Sequence, residues 1–575
     1  TYTYHAGALY DEDKNFIKGI RADNADGFYH LNGLNKIDTP SNAKYIRVTS
    51  ASNGNFPSIY VYTSMPNLTI YKHESNKTYY ADNVQSMLSI NAKAGDRIIT
   101  SGYYSNSDFG EATYEIISYD EWYSLLPDDV KLITKNNQYI PTPVDEYGNH
   151  TLNNGLVAKL VTQTPDGRYK TTPEQWGAKG NGSTNDVWPF IHMFAQTKTG
   201  NIVFKSNAIY IMGLTGDSLS TCIDNPYRSW MCGNLLGGQL FYKPIMGDIS
   251  DVNFIGNNAL ITIPDGQWGN SGMGIWNFSG NIKNLSISGL KFDGKSPTIG
   301  FNQKNSNHTL FYSPGSFNTN MNGRFLDLHP RYNQETKEFD KVSINNWTIN
   351  NNEFKNAGTI KKDKGDYGGD FILLVNPDNL NGLTIEDNKF LFWGRWVFSI
   401  DLLGNGERLY NIKFNRNYCR GDNSSEAPII DGWNWRGLGL IDFESKKCFT
   451  NIEMIGNDIE GQGGFAINGN SKITNNIVIK DNHWVHTGGG YPYMFNCYSG
   501  YLENITFDNN YLYGSGNRLG IATKDAYIKN NTGGLSFRID YMFGDIIFDN
   551  NISGNITDSI LYMNNYKDTS LDYFA

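Results

Sequence analysis

Charged residues, cysteine pairs and long apolar runs are all scarce in this sequence of 575 residues. Only 18% of the residues are charged, and the formal net charge of −10 offers no basic excess for contacts with nucleic acid or an anionic membrane. A transmembrane helix needs about 18 or more consecutive apolar residues, and no such run is present. We therefore expect neither a nucleic-acid partner nor a membrane partner.

Motifs for metals and nucleotide cofactors are also missing. The five cysteines are an odd number without a CxxC pair, which predicts neither a metal site nor a disulfide framework. The glycine-rich stretch WGAKGNGSTND, which begins at Trp176, lacks the Gly-Lys-Ser/Thr of a P-loop because Gly180 follows Lys179. Its glycine spacing also differs from that of a dinucleotide-binding turn. We expect no cofactor.

The residues that are abundant favour strands and turns. Glycine (60 residues), tyrosine (37 residues) and many asparagines accompany an apolar fraction of 39%. Tyrosine favours strands, whereas glycine and asparagine favour tight turns. The chain is long enough for two or three domains with a large buried core. This composition predicts an all-β protein.

The stretch from Trp176 resembles a known motif. It reads WGAKGNGSTND, then a short apolar segment, then GNIVFKSNAIY. This order is similar to F-G-A-K-G-D-G-x-T-D-D, a short helix and G-x-V-x-F, which open the pectate-lyase-superfamily module of phage tailspikes and polysaccharide depolymerases. Asn181 and Asn185 stand where that pattern has aspartate. The resemblance implies a segment that caps the first coil of a right-handed parallel β-helix and takes no part in catalysis.

The capping segment also contains signals for a short helix. Asn185 or Asp186 is a credible N-cap, and Pro189 suits the first helical turn. The predicted structure of this segment is therefore a glycine-rich turn followed by a helix that closes the end of the solenoid.

Two smaller segments precede this motif. Residues 1–75 contain the β-like runs AKYIRVTS and SIYVYTS, and they resemble a small β-sandwich that binds carbohydrate or serves for attachment to a virion. Residues 76–170 resemble the compact β domain that often precedes the superfamily module. We therefore predict a β-sandwich module at 1–75, a small β domain at 76–170 and the β-helix at 171–575.

From about residue 250 the sequence repeats a unit in which an alternating strand runs into a turn. Asparagine usually occupies the turn, where it tolerates left-handed backbone and can bond to its neighbours. Ten such units predict ten stacked coils with parallel strands and an apolar interior. The turn positions, which we interpret as structural, are Asn257, Leu290, Asn352, Asn388, Asn417, Asn457, Asn482, Asn510, Asn531 and Asn551.

A second polar column follows near the end of the next strand of each unit. Polar residues at strand ends are also expected from turn formation alone, so the column by itself does not identify a site. Its predicted members are Asn277, Asp327, Asn376, Asp401, Asp442, Asn468, Asn496, Thr523, Asp540 and Asn564.

The distance between the two columns distinguishes some units from others. It is short near the C-terminus, as from Asn457 to Asn468. It is long in earlier units, as from Asn417 to Asp442, and insertions on one face of a solenoid often form a binding wall. These insertions contain aromatic and charged residues that suit the apolar faces and polar edges of sugars, namely His308, Phe311, Tyr312, Asp366, Tyr367, Trp433, Trp435 and Arg436.

Acidic members of the column beside these insertions can supply glycoside hydrolysis, which needs two carboxyl groups across the scissile bond. Asp401 and Asp442 are predicted on adjacent coils, and Asp327 two coils from Asp401. Expected backbone spacings of about 5 and about 10 Å bracket the retaining and inverting geometries. Glu444 and His329 are further candidates because they are predicted to share a face with Asp442 and Asp327.

Two other functions stay open. A lyase would need a base such as His329 near an arginine that neutralises a uronate carboxylate, and Arg324, Arg331, Arg395 and Arg436 are available. A fibre that binds glycan without cleaving it would use the same fold. We prefer the glycosidase because the acidic column is better formed than any cluster of His, Tyr or Lys.

Together these features predict an all-β protein with a right-handed parallel β-helix (pectin-lyase-like) preceded by small β domains. The resemblance to tailspikes implies a depolymerase of bacterial surface polysaccharide with a virion tail or extracellular location. It also implies a homotrimer and contacts with other virion tail proteins. The residues predicted to catalyse are Asp401, Asp442, Asp327, Glu444 and His329, and those predicted to bind substrate are Trp433, Trp435, Arg436, Tyr367, Arg395 and Asn376.

Overall fold

A computed structural model describes much of the chain. The described residues are 76–125, 148–162, 171–213, 244–263, 274–294, 324–330, 340–357, 370–375, 377–393, 396–401, 409–421, 424–426, 439–444, 449–461, 464–468, 473–487, 493–497, 501–514, 516–518, 522–533, 537–539 and 541–553. Several short strands outside these ranges are described by their backbone only. Among the described residues, no helix has the length and apolarity that crossing a membrane requires.

Small sheets precede the main body of the structure. Within residues 1–75, one sheet contains His5–Tyr10, Phe16–Arg21, Tyr29–His30 and Tyr45–Val48, and another contains Lys36–Ile37 and Leu68–Thr69. A five-stranded sheet follows, made of Thr78–Ala81, Arg97–Thr100, Ala112–Ile117, His150–Thr151 and Val157–Leu160. Within the described residues the helices are Val84–Met87, Tyr119–Leu125 and Val187–Gln196, with a 3-10 helix at Pro173–Trp176. The domain boundaries stay a prediction.

Three long sheets, in which every strand pair is parallel, form the main body. Sheet I contains Gly200–Val203, Ile249–Ile255, Ile282–Ser288, Ser343–Asn350, Asn379–Glu386, Leu409–Asn415, Phe449–Ile455, Ile473–Lys480, Tyr501–Asp508, Ala522–Lys529 and Tyr541–Asp549. Sheet II contains Asn181–Asn185, Ile209–Ile211, Leu260–Thr262, Lys291–Asp293, Glu353–Ala357, Lys389–Trp393, Tyr418–Arg420, Asp458–Gly461, His483–His486, Tyr511–Tyr513, Thr532–Gly533 and Ile552–Ser553. Sheet III contains Ile245–Met246, Gly274–Phe278, Arg324–Leu328, Ile372–Val375, Phe398–Asp401, Ile441–Glu444, Phe465–Asn468, Tyr493–Cys497, Gly516–Arg518, Phe537–Ile539 and Leu561–Met563.

The chain visits sheets I, II and III in turn, so each circuit forms one coil of a right-handed parallel β-helix. The predicted fold is therefore confirmed. Two antiparallel strand pairs, Gly216–Ser218 with Gln239–Phe241 and Tyr332–Asn333 with Glu338–Phe339, lie in the connections between coils.

The interior of the helix is a continuous apolar core. Phenylalanines of successive sheet II strands stack on one another, with ring centroids 4.9 Å apart for Phe292 and Phe354 and 5.2 Å apart for Phe354 and Phe390. The five-stranded sheet joins the same core, since Tyr114 belongs to it together with Trp176 of the capping segment. Stacked coils therefore bury side chains that no single coil could bury alone.

A ladder of buried asparagines closes the corner between sheets I and II. Asn457 Nδ2 donates to the Phe414 carbonyl of the preceding coil (2.8 Å) and to Oδ1 of Asn482 in the following coil (2.8 Å). Its Oδ1 accepts from the backbone N–H and from Nδ2 of Asn417 (2.8 and 3.2 Å). The same pattern holds at Asn352, Asn388, Asn417, Asn482, Asn510 and Asn531.

The predicted turn positions at the N-terminal end of the ladder are confirmed as well. Asn257 Nδ2 donates to the Phe204 carbonyl (2.9 Å), and Leu290 contributes its backbone N–H, which donates to Asn352 Oδ1 (3.0 Å). The expected backbone conformation was wrong for most of them, because the left-handed residue is the one before the ladder asparagine. Examples are Asn351, Asp387, Arg416, Asn509 and Asn530, with φ between 52° and 56°.

Sheet I carries a second asparagine ladder that the repeat pattern did not reveal. Its members are exposed and left-handed, as at Asn411 and Asn451, with φ of 57° and 58°. Asn451 Nδ2 donates to Asn411 Oδ1 (2.9 Å), and Asn476 Nδ2 donates to Asn451 Oδ1 (3.0 Å). Each coil is thus tied to the next by side-chain amides on both sides of a sheet I strand.

The capping segment is structural, as predicted. Asp186 is the N-cap residue of the helix Val187–Gln196, but its carboxylate accepts from the backbone N–H groups of Lys179 (2.7 Å) and Gly180 (3.2 Å) instead of from the helix. Gly180 is left-handed (φ 56°), and a Cβ there would lie 2.9 Å from the Tyr210 ring. The aspartate and the glycine together shape the turn that covers the first coil.

Breaking the buried ladder should destabilise the solenoid. Asn457→Ala leaves the Phe414 carbonyl and the Asn417 N–H without their partners, and we expect a loss of about 2 kcal/mol or more because each such buried group costs about 1–3 kcal/mol. Denaturant unfolding measures the loss, and amide hydrogen exchange locates it. Asn451→Gly, on the exposed ladder, is the matched control and should cost much less, since water replaces its partners. Equal losses at both positions would contradict a special role for the buried ladder.

A buried carboxyl group lies under the cap. The Tyr210 hydroxyl donates to Glu174 Oε1 (2.6 Å), and Glu174 is only 2% exposed. Burial raises the pKa of Glu174 to about 7, and it also raises the pKa of Asp186 to about 6. The nearby His192 has the opposite shift, since burial lowers its pKa to about 4. Burial in the cap therefore disfavours the charged form of each of these three groups.

The burial of Glu174 predicts that the free energy of unfolding depends on pH, and Glu174→Gln should remove this dependence. Because the folded-state pKa is raised to about 7 from 4.5, the stabilisation is fully present below pH 4.5 and is lost as the pH rises through 7, by up to about 3 kcal/mol. Unfolding of the parent and the variant at pH 5 and pH 8 isolates this contribution from that of His192. Glu121→Gln, at an exposed site, is the control. A parent and a Glu174→Gln variant with parallel pH profiles would contradict it.

Candidate active site

Sheet III carries the polar column, but in a different register from the one predicted. Asp327 pairs with Leu373, Leu373 with Ser399, and Ser399 with Asp442. The residue that lies opposite Asp327 in the next coil is therefore Leu373. We call this the buried lane because its members from Asn277 to Asn496 are buried. By backbone register the lane contains Asn277, Asp327, Leu373, Ser399, Asp442, Ala466, Asn496, Arg518, Arg538 and Tyr562.

A second lane runs two residues further along the same strands. Asp401 pairs with Val375 on one side and with Glu444 on the other, and Glu444 pairs with Asn468. We call these four residues the terminal lane. Asp401 and Asp442 thus lie on adjacent strands but in different lanes, which corrects the predicted single column.

Other predicted members of the column fall elsewhere. Thr523 belongs to sheet I, where it pairs with Leu502, and Arg518 occupies the corresponding place in the buried lane. Asp540 and Asn564 lie outside the described residues. The errors have one cause, because the polar residue was counted from the end of each strand, whereas core side chains set the register.

The buried lane faces away from the core and is nevertheless shielded from water. Leu326 and Leu328 belong to the core, so strand alternation places Asp327 on the opposite face. Leu373 and Ala466 are buried without joining the core cluster. From Asn277 to Asn496 every lane residue is at most 1% exposed. The carboxyl groups of Asp327 and Asp442 are therefore shielded from water.

Tight packing at the start of two sheet III strands supports the lanes. Asp370 Oδ1 accepts from the backbone N–H of Trp396 in the next coil (3.1 Å), which gives this aspartate a structural role. Trp396 is buried, and a Cβ at Gly439 would lie 1.8 Å from its ring, so only glycine fits there. These contacts fix the relative position of the strands that carry Asp401 and Asp442.

Three predicted catalytic residues lie within two adjacent strands. Asp442 is 1% exposed, whereas Glu444, two residues later, is exposed at the end of the strand. Same-face neighbours along a strand lie about 6.6 Å apart and paired residues about 4.8 Å apart. By that geometry Asp401 and Glu444 have the closest backbones, and Asp442 lies about 7 Å from Glu444. The side chain of Asp401 lies outside the described part of the structure.

Asp327 and His329 lie at the far end of this region. Asp327 is fully buried and is three strands from Asp442 in the same lane. His329 follows its strand directly, is partly exposed, and donates its backbone N–H to the Phe278 carbonyl (2.8 Å). Three strand spacings of about 4.8 Å separate Asp327 from Asp442, which is too far for one carboxyl pair to act on one bond.

The predicted sugar-binding wall is not tested. Its residues lie outside the described part of the structure, namely Trp433, Trp435, Arg436, Tyr367, Arg395 and Asn376, together with His308, Phe311, Tyr312 and Asp366. Their role in binding substrate stays a prediction.

The outward face of sheet II carries a polar and aromatic row that was not predicted from the sequence. Tyr418, Asp458, His483 and Tyr511 pair in register on four successive strands. Each of them directly follows a ladder asparagine in the sequence, so the repeat alignment contained the signal. The residues were overlooked because only the turn and the end of the following strand were compared.

Several solved structures are similar to this chain. One is a glycan biofilm-modifying enzyme of Pantoea stewartii with a bacteriophage tailspike-like parallel β-helix fold, at 11% identity and a TM-score of 0.33, over 79% of this chain and 49% of that one. Another is tailspike protein gp49 of Acinetobacter baumannii bacteriophage Fri1, a capsular polysaccharide depolymerase, at 12% identity and a TM-score of 0.32, over 82% and 76%. A third is PfbA, a surface adhesin of Streptococcus pneumoniae, at 12% identity and a TM-score of 0.34, over 67% and 89%.

The likenesses are weak, and the fold assignment rests on the three parallel sheets. This chain spans about half the length of the Pantoea enzyme. Comparison with protein-family profiles and with the sequences of characterised proteins found no match.

Proposed function

We propose that this chain binds and cleaves a bacterial surface polysaccharide, such as capsule, exopolysaccharide or wall glycan, by glycoside hydrolysis on sheet III. The observation that supports this proposal most is the strand register, which pairs Asp401 with Glu444. Asp442 precedes Glu444 by two residues on the same strand. Three carboxyl groups on two adjacent strands meet the first requirement of the reaction, which is a pair of carboxyl groups across one glycosidic bond.

The different surroundings of these carboxyl groups suit a division of roles. The exposed Glu444 can reach a polymer that arrives from solution, while Asp442 is shielded from water in the same strand. Acid and base roles require groups in unlike environments. In the proposed reaction one carboxyl group protonates the leaving glycosidic oxygen as the C–O bond breaks. The other directs the oxygen of water to the anomeric carbon or first bonds to that carbon itself.

The revised register changes which pair is favoured. Asp401 and Asp442 were the preferred pair in the sequence, but Asp401 and Glu444 are the residues in direct register. Their backbones are about 5 Å apart, which allows the two carboxyl groups to act on the same bond. We therefore assign the reaction to Asp401 and Glu444, with Asp442 as the neighbouring carboxyl group. The expected setting is a phage tail or the cell exterior.

Removing either charge should abolish cleavage without unfolding the protein. Asp401→Asn and Glu444→Gln keep the side-chain volume, and each should lower turnover by about a hundredfold or more, the usual cost of losing general acid–base action. Purified capsule, exopolysaccharide and teichoic acid are the substrates, and mass spectrometry of the products is the readout. Oligosaccharides that have gained water indicate hydrolysis.

Asp549→Asn is the matched control, since Asp549 is an exposed carboxylate at the end of a sheet I strand. It should leave turnover unchanged. Full activity in both Asp401→Asn and Glu444→Gln would contradict the assignment and direct attention to Asp327 and His329. Products with unsaturated uronate ends would identify a lyase instead, and the absence of products from every substrate would favour a binding fibre.

We also propose that the chain assembles as a homotrimer through the C-terminal part of sheet I. Between Ile255 and Tyr511, no large apolar side chain in the described part of the chain is highly exposed. On sheet I, Tyr527 (37% exposed) pairs with Ile547 of the next strand, and Ile547 is 43% exposed. Exposed apolar residues that cluster at one end of a long solenoid are suited to contact with another copy.

Light scattering at micromolar concentration should therefore give the mass of three chains. Ile547→Asp places a charge in the apolar patch and should shift the protein towards monomer. Ile255→Asp is the matched control, because Ile255 is 38% exposed near the other end of the same sheet. A parent protein that is monomeric, or an Ile547→Asp variant that stays trimeric, would contradict this interface.

A further inference from the structure

The outward face of sheet II presents a preformed row of polar and aromatic side chains. Tyr418, Asp458, His483 and Tyr511 lie on four successive strands in direct register. We call these four residues the sheet II row. Strands of neighbouring coils are about 4.8 Å apart, so the row extends for about 14 Å along the helix axis.

The first half of the row is held by one arginine. Arg420 Nη2 contacts Asp458 Oδ2 (2.7 Å), and its guanidinium lies 3.8 Å from the centroid of the Tyr418 ring. Arg420 Nε contacts Glu426 Oε1 (3.2 Å), and the Tyr418 hydroxyl donates to the same carboxylate. The Arg420 side chain is only 9% exposed, so its donors are engaged by protein and are not presented to a ligand.

The second half of the row continues this network. His483 Nδ1 lies 3.0 Å from Asp458 Oδ1, and the His483 ring stacks on Tyr511 with centroids 5.0 Å apart. These contacts fix the side chains before any ligand arrives. Preorganised side chains lower the entropic cost of binding.

The row is accessible as well as ordered. The side chains of His483 and Asp458 are 56% and 44% exposed, and Tyr511 is 40% exposed. Tyr513, two residues beyond Tyr511 on the same strand, is 50% exposed. The row therefore has tyrosine at both ends and an exposed carboxylate between them.

The charge of the strip selects among ligands. Three carboxylates, those of Glu426, Asp458 and Glu460, surround the single guanidinium of Arg420. Anionic ligands are therefore repelled, and Arg420 is not free to neutralise them. Carboxylate oxygens accept from hydroxyl and ammonium groups, and tyrosine rings suit the apolar faces of sugars.

We propose that the sheet II row binds a neutral or amino-substituted glycan strand that runs along the helix axis, at a site separate from sheet III. The coil spacing resembles the spacing of sugar rings in an extended glycan, so successive rings would meet successive strands. The choice of a glycan as the ligand rests on the proposed function, whereas the selection against anionic sugars rests on the charges of the row.

Titration calorimetry with defined oligosaccharides tests the proposal. The probes are chitosan oligomers, which carry amino groups, cello-oligosaccharides, which are neutral, and oligogalacturonate, which is anionic. We expect binding of at least one of the first two and no binding of the third. Binding of chitosan oligomers should weaken as salt is added, because surface charges are screened. No binding of the first two probes, or preferential binding of oligogalacturonate, would overturn the proposal.

Variants locate the binding. Tyr511→Ala and Asp458→Asn should each weaken the affinity by about tenfold or more, as expected for one lost aromatic contact or charge-assisted hydrogen bond. Tyr511 lies outside the core, so its removal keeps the test valid if Asp458→Asn is unstable. Lys529→Ala on sheet I is the control and should bind as the parent does. Unchanged affinity in both row variants would place the ligand elsewhere.

Binding at the sheet II row can be measured independently of the proposed cleavage on sheet III. All titrations are repeated in the double variant with Asp401→Asn and Glu444→Gln. Binding that persists in this variant and is lost on addition of Tyr511→Ala assigns the ligand to the row. Cleavage that persists in the double variant would contradict the proposed catalytic residues and would leave the result for the row intact.

Discussion

The regular stacking of the coils depends on the side-chain amides of the ladder asparagines. Each ladder amide donates to a carbonyl of the coil before it and to the amide of the coil after it, in a place that water does not reach. An unpaired polar group there would be costly, so each coil must be in step with both neighbours. The strand register of sheets I and II follows from this single requirement.

A strictly constrained corner leaves the rest of each coil free to vary. The chain enters sheet II directly from the ladder, and the sheet II row therefore recurs at a constant offset from the ladder asparagine. The connections to sheet III are longer and unequal in length. In sheet III the core side chains consequently set the strand register. The polar residues of different strands differ by two positions relative to that register, as Asp401 and Asp442 do.

The two outward faces differ in how they hold their charges. On sheet III the buried lane shields Asp327 and Asp442 from water, next to a terminal lane with the exposed Glu444. On sheet II the carboxylate of Asp458 is exposed and is paired with Arg420 and His483. Two carboxyl groups in register on adjacent strands, as at Asp401 and Glu444, suit cleavage, whereas a carboxylate already paired with cations suits recognition of a polar ligand. The proposed division between cleavage and binding follows from this difference.

The repeat of asparagine and alternating apolar residues was sufficient to predict the β-helix, because the ladder and the core are built from the same position in every coil. The role of Asp186 in the cap was also within reach, since the glycine-rich turn requires an acceptor for its amides. The lanes of sheet III could not be predicted, because Asp401 and Asp442 look equivalent at the ends of their strands. Only the packing of Leu326, Ile372, Phe398 and Ile441 sets the register of these strands. The contacts of Arg420 with Asp458 and Glu460 likewise join residues from adjacent coils, and only the stacking of those coils brings them together.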